Sequence, residues 1–463
     1  MQFLNTKKLL RDIEPAGEIP SGGEIVKKTL LLAWPAVLES FLVSITGFVD
    51  SMMVSTLGAE AIAAVGLTTQ PKFICLCLFL SLSVAISSIV ARRRGEGDKI
   101  GAIRVLRTSI LFIIIATAVI AGAALLLDDF ILHLAGSAPE THEMAVEYFD
   151  VLVIGIIFQT VMLGINAAQR GAGNTKLAMR TNVTSNIVNV IFNYLLIGGN
   201  FGFPALGVRG AAIATVLGTV VGCGMSILSL FDTKSFVYFR GAKGWIADKR
   251  SIRSMLDVGS SAFVEQLFLR IGFFLFAATV ANLGTIEYAA HMIGMNFMAI
   301  SFSFADGLSV AAVALVGRSL GEGRQDMARL YSCACQRLGI VCAAIVSVVF
   351  ISFGRPLYSL FTEDPVILDY GIMILSILSV TLFMQIEQVV MMGSLRGAGD
   401  TKYTAFVSLI CVTIVRPLAS WVLGYPLGLG LMGVWLGTFC DQLLRFILSY
   451  IRFRSGNWLK IKL

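Results

Sequence analysis

The chain of 463 residues is 56% hydrophobic and 14% charged, with a mean hydropathy of +0.83. That excludes a water-soluble surface, so lipid must be the solvent for most of the exterior. A net charge of +7 would suit nucleic acid if the basic residues clustered, but they occupy alternate loops between apolar runs, so no nucleic-acid partner is expected.

From the amino end, Phe3–Glu14 alternates apolar and charged residues at helical spacing before Pro15, which fits a short helix on the inner membrane surface or an unanchored tail. Apolar runs follow near 30–54, 61–90, 105–127, 147–169, 177–199, 207–231, 256–281, 287–316, 335–353, 370–393, 403–424 and 429–451. Several reach the roughly 20 apolar residues that cross a bilayer as a helix. A barrel would alternate polarity within short segments, and these runs do not. The first run begins near Leu30, can span, and lacks a small-residue cleavage site, so it reads as a spanning helix rather than a removable signal peptide. The eight cysteines lie mostly inside the runs without zinc-type spacing and read as small buried hydrophobes.

Thirty of the 36 Lys and Arg fall in the two ends and alternate connections, while the opposite loops hold only Arg209 and Arg355. Basic residues beside a span stay cytoplasmic, so both termini are expected inside, in a multi-pass protein of the cell inner membrane.

One offset, 226 residues, recurs along the chain. RGAGNTK at Arg170–Lys176 returns as RGAGDTK at Arg396–Lys402, Leu57-Gly58 as Leu283-Gly284, Gly95-Glu96-Gly97 as Gly321-Glu322-Gly323, Gly207-Val208 as Gly433-Val434, and Glu39 as Glu265. The expected fold is therefore an all-α polytopic membrane protein of 12 transmembrane helices in two six-helix lobes, related by a pseudo-twofold axis along the membrane normal. The expected divisions are a cytoplasmic segment 1–28, a first lobe 29–231, a cytoplasmic linker 232–253, a second lobe 254–452 and a tail 453–463. In RGAG(N/D)TK the glycines suit tight turns, and Asn174 or Asp400 suits the cap of the next helix, which favours structure over phosphate binding.

Ionisable groups inside spanning helices are costly unless paired or hydrated, so each is a functional candidate. The first half has Glu39, Asp50 and Lys72; the second has Glu265, Arg270, Asp306, Glu387, Arg416, Asp441 and Arg445. Glu39 and Asp50 share a helix face. Asn189 and Asn193 share another at i, i+4 and, with Thr215 and Asp50, offer oxygen ligands; the asparagines could equally bond neighbouring helices. Such oxygens suit a sodium ion, and Asp50 alone suits a proton. Asp441 and Arg445, one turn apart, can neutralise each other. Glu265 and Glu387 lack a local partner and are expected to bind a cationic substrate or a proton. No GxxxxGK[ST] or HExxH motif is present, and His133, His142 and His291 form no metal set, so neither an ATP motor nor an enzyme is expected, and no cofactor beyond a possible sodium ion.

WPAVLESFLVSITGFVDSMMVSTLG from Trp34, the twin RGAG segments, NIVNVIFNYLLIGG from Asn186 and GVRGAAIAT from Gly207 together resemble the multidrug and toxic compound extrusion (MATE) family, in its bacterial NorM-like and DinF-like forms. The resemblance covers nearly the whole chain. It implies two lobes around a cleft that opens alternately to either side, and cation-coupled antiport. It carries the cation-coupling role to Asp50, the further ligands to Asn189, Asn193 and Thr215, and second-lobe carboxylates to Glu265 and, with a shifted register, Glu387. Gln385 stands where NorM-like members have Asp, and Asn193 where some members have Asp; Glu39 is not a usual family residue. The expected activity is efflux of amphipathic, cationic organic compounds in exchange for sodium ions or protons. The alternatives are a flippase for a lipid-linked saccharide and a passive channel or receptor. Expected partners are the small-molecule substrate, the coupling ion and membrane lipid; the sequence carries no sign of oligomeric state.

Overall fold

In the computed structural model, residues 9–10, 13–135, 137, 139–232, 235–239 and 249–461 are described. Of the surface helix expected over Phe3–Glu14, Leu9, Leu10, Ile13 and Glu14 are within this set, and Leu10 is buried against Ile25, Leu315 and Leu330. The expected linker 232–253 lies partly outside it.

Twelve long helices carry the fold: α1 (Gly22–Ser55), α2 (Ala59–Gly95), α3 (Lys99–Leu126), α4 (Pro139–Gly171), α5 (Thr175–Ile197), α6 (Gly207–Ser229), α7 (Lys249–Ala281), α8 (Thr285–Gly321), α9 (Gln325–Ser359), α10 (Pro365–Ala398), α11 (Thr401–Gly424) and α12 (Gly430–Ser455). Among the described residues, eleven are long and apolar enough to cross a membrane. The twelfth, α5, has 23 residues, about 35 Å at 1.5 Å per residue, so length suffices. Its hydropathy is lowered by Asn182, Asn186, Asn189 and Asn193.

The repeat is visible in the helix ends. α2 and α8 start and stop 226 residues apart, as do the starts of α3 and α9, α4 and α10, and α5 and α11, and the ends of α1 and α7. α4 and α10 both begin on proline, whose missing N–H costs nothing in a first turn. The turns repeat too: Gly97 and Gly323 hold φ of +73° and +72°, a left-handed conformation that a side chain would strain.

The chain packs as two compact units, Phe41–Gly259 and Met1–Ser40 with Ser260–Leu463, so the division falls inside α1. In the first-repeat unit α2 packs on α4, α5 on α6, α6 on α4, and α3 on both α2 and α4; in the other α8, α11, α12 and α9 repeat the same pairings with α10 in place of α4. α5 and α6 approach to backbone contact because α6 presents glycines. A Cβ on Gly218 would lie 2.5 Å from the Ser185 carbonyl, and one on Gly210 2.5 Å from that of Leu196.

The repeat shifts register where α11 departs from α5. Leu409–Val415 forms a π turn, just before Pro417, whose missing N–H disrupts the regular ladder. That turn admits one extra residue, and the connection to the last helix is five residues instead of the nine between α5 and α6. The offset becomes 227 beyond the π turn and 223 in α12. Gly210 meets Leu196 in one unit as Gly433 meets Leu423 in the other, and Gly207 and Gly430 open their helices at φ +54° and +55°. The expected match of Gly207-Val208 to Gly433-Val434 is thus corrected to Gly430-Leu431. α9 also breaks at Phe353 (φ −118°), three residues before Pro356, where the apolar run ends.

Candidate functional site

Asp50 occupies the last third of α1 and meets α5 and α6. The Asn193 side-chain nitrogen donates to Asp50 Oδ1 at 2.7 Å. Asn189 sits between Asp50 and Thr215; with its nitrogen turned to the carboxylate it donates to Oδ1 at 2.8 Å and Oδ2 at 3.1 Å, and its oxygen accepts from the Thr215 N–H at 3.2 Å. Two acceptors facing each other would repel, so this is the orientation that an ionised Asp50 requires. The Thr215 hydroxyl donates to Ala211 O at 3.0 Å. The close approach of α6 to α5 at Gly218 is what brings Thr215 against Asn189.

Asp50, Asn193 and Thr215, with Val65 and Tyr148, line a cavity of about 60 Å³. Asn193 Oδ1 is buried without a hydrogen bond. Lys72 on α2 is close enough to interact electrostatically with Asp50. The four expected ligands therefore come together, and Tyr148 and Lys72 join them.

Glu39 is 7% exposed and belongs to the other unit, so it and Asp50 do not form one site within a unit. In that unit Glu265 on α7 is buried and forms an ion pair with Arg396 near the end of α10. Thr404 Oγ1 donates to Glu265 Oε2 at 2.8 Å and Ser408 Oγ to Oε1 at 3.5 Å. The expectation that Glu265 lacks a partner is corrected. Arg396 belongs to the second RGAG segment and points inward from the helix end. Asp306 on α8 also interacts with Arg396, and these groups line a cavity of about 250 Å³ walled by Phe273, Phe302 and Met392.

Gln385 and Glu387 are buried outside this lining; Gln388 lines it instead and donates to Gln442 Oε1 at 3.2 Å. A Cβ on Gly339 would lie 3.3 Å from Glu387 Oε1, so Glu387 faces α9. Two successive residues of one helix point about 100° apart, which is why Glu387 and Gln388 diverge.

The expected pair Asp441–Arg445 exists, at 2.9 Å, and gains a third member: Arg416 Nε and Nη2 donate to Asp441 Oδ2 at 2.9 and 2.6 Å. Arg416 lies over Phe273 and Phe276, 4.7 and 5.6 Å from the ring centres. Asn174 and Asp400 occupy N-cap positions, but neither side chain makes the expected cap bond; Asp400 instead accepts from Arg452 Nε at 2.7 Å. Sequence reading passed over Arg396, Thr404 and Ser408 as binding partners. The signal available was the shared offset, since Glu39/Glu265 and Arg170/Arg396 recur at the same 226 residues.

The MatE family profile matches residues 35–195 and 261–422, one stretch in each repeat. A Thermotoga maritima protein named "Probable multidrug resistance protein NorM" is 31% identical over 454 residues, covering 98% of this chain and 96% of its own length. A solved outward-facing MATE transporter of the MOP superfamily superposes with a TM-score of 0.87 at 23% identity, over 95% of this chain and 99% of its own. A MOP-superfamily transporter from Pyrococcus furiosus gives 0.88 at 23% identity, over 96% and 100%. With two six-helix repeats, the family profile on both and a full-length relative, the chain belongs to the MATE family of membrane transporters.

Proposed function

We propose that the chain is a secondary active exporter of amphipathic, cationic organic compounds, working by antiport with sodium ions or protons and by alternating access of its two lobes. The Asp50 pocket carries this reading. A carboxylate within a spanning helix, held by the Asn193 nitrogen, and an Asn193 oxygen without a hydrogen bond belong to the lining of one cavity of about 60 Å³, room for one small ion. Hard cations take carboxylate, amide and hydroxyl oxygens. Rotation of the Asn189 amide by half a turn would exchange its donor for an oxygen, so Asp50, Asn189, Asn193 and Thr215 form a ligand set for sodium; without sodium, Asp50 can carry a proton instead.

In the second lobe we assign substrate or proton binding to Glu265, with the Phe273, Phe302 and Met392 wall taking apolar groups. Glu39, Gln385 and Glu387 are further buried candidates for the same traffic. The basic residues favour both termini in the cytoplasm, and the proposed location is the cell inner membrane. A saccharide-lipid flippase would want a cationic cavity, and this one balances Glu265 and Asp306 against Arg396 and Arg445, which favours the exporter.

The test is efflux of a fluorescent organic cation from proteoliposomes under separately imposed sodium and proton gradients, for the wild type and Asp50→Asn. Efflux driven by one gradient and lost in the variant is the expected result and names the ion. Efflux indifferent to both gradients points to the flippase or to a passive channel, and gradient-driven efflux that survives Asp50→Asn removes Asp50 from coupling.

A further inference from the structure

A cavity near the ends of the chain has no part in the reading above. It measures about 450 Å³ and lies where α9 begins and α12 ends, with Arg329, Arg454 and Lys460 among its lining side chains. Its walls are fixed. On one side the N-terminal segment is tied to α9 through the Ala16 N–H, which donates to Asp326 at 3.3 Å. On the other, the chain turns after α12, and Trp458 is fully buried, stacked on Phe453 at 5.3 Å and donating to its carbonyl at 2.9 Å.

The charge in this cavity is unbalanced. Asp326 is neutralised by Arg324 at 2.8 Å, and Glu14 is the other carboxylate in the lining. Arg329, Arg454 and Lys460 have no ion pair among the described residues, which leaves three cations against one exposed anion. A compact dianion or monoanion such as a phosphate ester would balance them.

One observation chooses the source of that phosphate. Ile447, Tyr450 and Ile451 are 42%, 44% and 58% exposed, and with Arg454 they fall at i, i+3, i+4 and i+7, one face of α12. An apolar column thus runs along the helix and ends at an exposed arginine on the cavity rim. A soluble phosphate has no use for the column, whereas a glycerophospholipid lays its acyl chains there and its headgroup beyond.

We propose that this cavity is a specific site for an anionic phospholipid, headgroup phosphate against Arg329, Arg454 and Lys460 and acyl chain along Ile447, Tyr450 and Ile451. In the proposed orientation the site faces the cytoplasmic leaflet, where anionic headgroups and basic helix ends meet. Binding in micelles does not depend on that orientation or on transport, so the site can fail while the exporter reading stands, and the reverse.

The experiment uses the full-length protein in zwitterionic detergent-lipid micelles, with retained lipid read by native mass spectrometry and stability by thermal unfolding. The probes are phosphatidylglycerol, phosphatidylcholine of the same chains, and inorganic phosphate. Phosphatidylglycerol is expected to remain bound and to raise the unfolding temperature, while phosphatidylcholine and phosphate do neither. Arg329→Gln/Arg454→Gln/Lys460→Gln should weaken phosphatidylglycerol binding at least about tenfold, because three basic residues that attract the anionic headgroup are removed. Arg180→Gln/Lys402→Gln, exposed cations elsewhere, should leave it unchanged. The proposal is overturned if the triple variant retains the lipid, if the control variant loses it equally, or if inorganic phosphate alone reproduces the stabilisation.

Discussion

The two repeats place opposite chemistry at the same point of the fold. With the register of each helix pair, Asp50 corresponds to Phe276, Val65 to His291, Asn189 to Arg416, Ala212 to Trp435 and Thr215 to Thr438. In the first repeat these positions make a small cavity in which one carboxylate is held by neutral amides. In the second they make a plug: Phe276 packs on His291 at 5.1 Å and on Trp435 at 6.3 Å, and Arg416 covers Phe276 while bonding Asp441. Where one repeat keeps its carboxylate available, the other consumes its carboxylate in a fully buried triad. The difference teaches that a buried charge alone does not mark a site; what matters is whether its lone pairs are already spent on cations.

This comparison predicts opposite phenotypes. Asp441→Asn leaves Arg416 and Arg445 buried without a counter-ion, and uncompensated buried charge costs about 3–5 kcal/mol; thermal unfolding should fall sharply and protein yield with it. Asp50→Asn leaves the fold nearly as stable, because two amide donors to a carboxylate become two to an amide oxygen. Coupled efflux should drop by about 100-fold, the scale of losing one partner of a buried ionic contact. Equal destabilisation by both changes would break the comparison. A third variant sharpens it. Lys72 corresponds to Met298 in the second repeat, so Lys72→Met removes the positive neighbour with which an incoming cation competes. Its affinity, read as the half-saturating sodium or proton concentration for efflux, should improve by about fivefold, near 1 kcal/mol for a screened charge pair. Weaker binding in this variant would mean that Lys72 supports the site rather than competes in it.

Much of this was legible in the sequence. Helix number and order follow from apolar run length, and the repeat from glycine turns that recur at one spacing. The Asp50 set was legible because all its members are polar residues inside apolar helices, and i, i+4 spacing alone puts Asn189 and Asn193 on one face. Arg396 was not legible. Positive-inside counting assigns it to a helix end, correctly for its backbone, yet a side chain with a long stem reaches back toward Glu265. Gln388 was hidden because Gln385 and Glu387 are near neighbours in the same helix and only packing decides which face meets the cavity. The register shift could not be read either, since Gly-Val occurs by sequence at 226 while the π turn and the shorter loop move the packing glycines to Gly210 and Gly433.

The smallest expected effect separates the two hydroxyls around Glu265. Thr404 Oγ1 donates to Oε2 at 2.8 Å, whereas Ser408 Oγ stands 3.5 Å from Oε1, at the limit of a hydrogen bond. Arg396 already supplies charge to Oε1, so the serine adds little there, while the threonine is the main donor to the other oxygen. Thr404→Val should cost about 1 kcal/mol in thermal stability and weaken substrate competition severalfold, because a buried carboxylate oxygen loses its partner. Ser408→Ala should lie within about 0.5 kcal/mol of wild type. The reverse ranking would mean that Glu265 turns its oxygens during transport, so that Ser408 rather than Thr404 holds the state that binds substrate. Here the contrast with Asp50 reaches its finest scale: amides that can exchange donor for acceptor suit a site that changes occupant, whereas the guanidinium on Glu265 can only donate, so an occupant of that site must compete with Arg396 for the carboxylate.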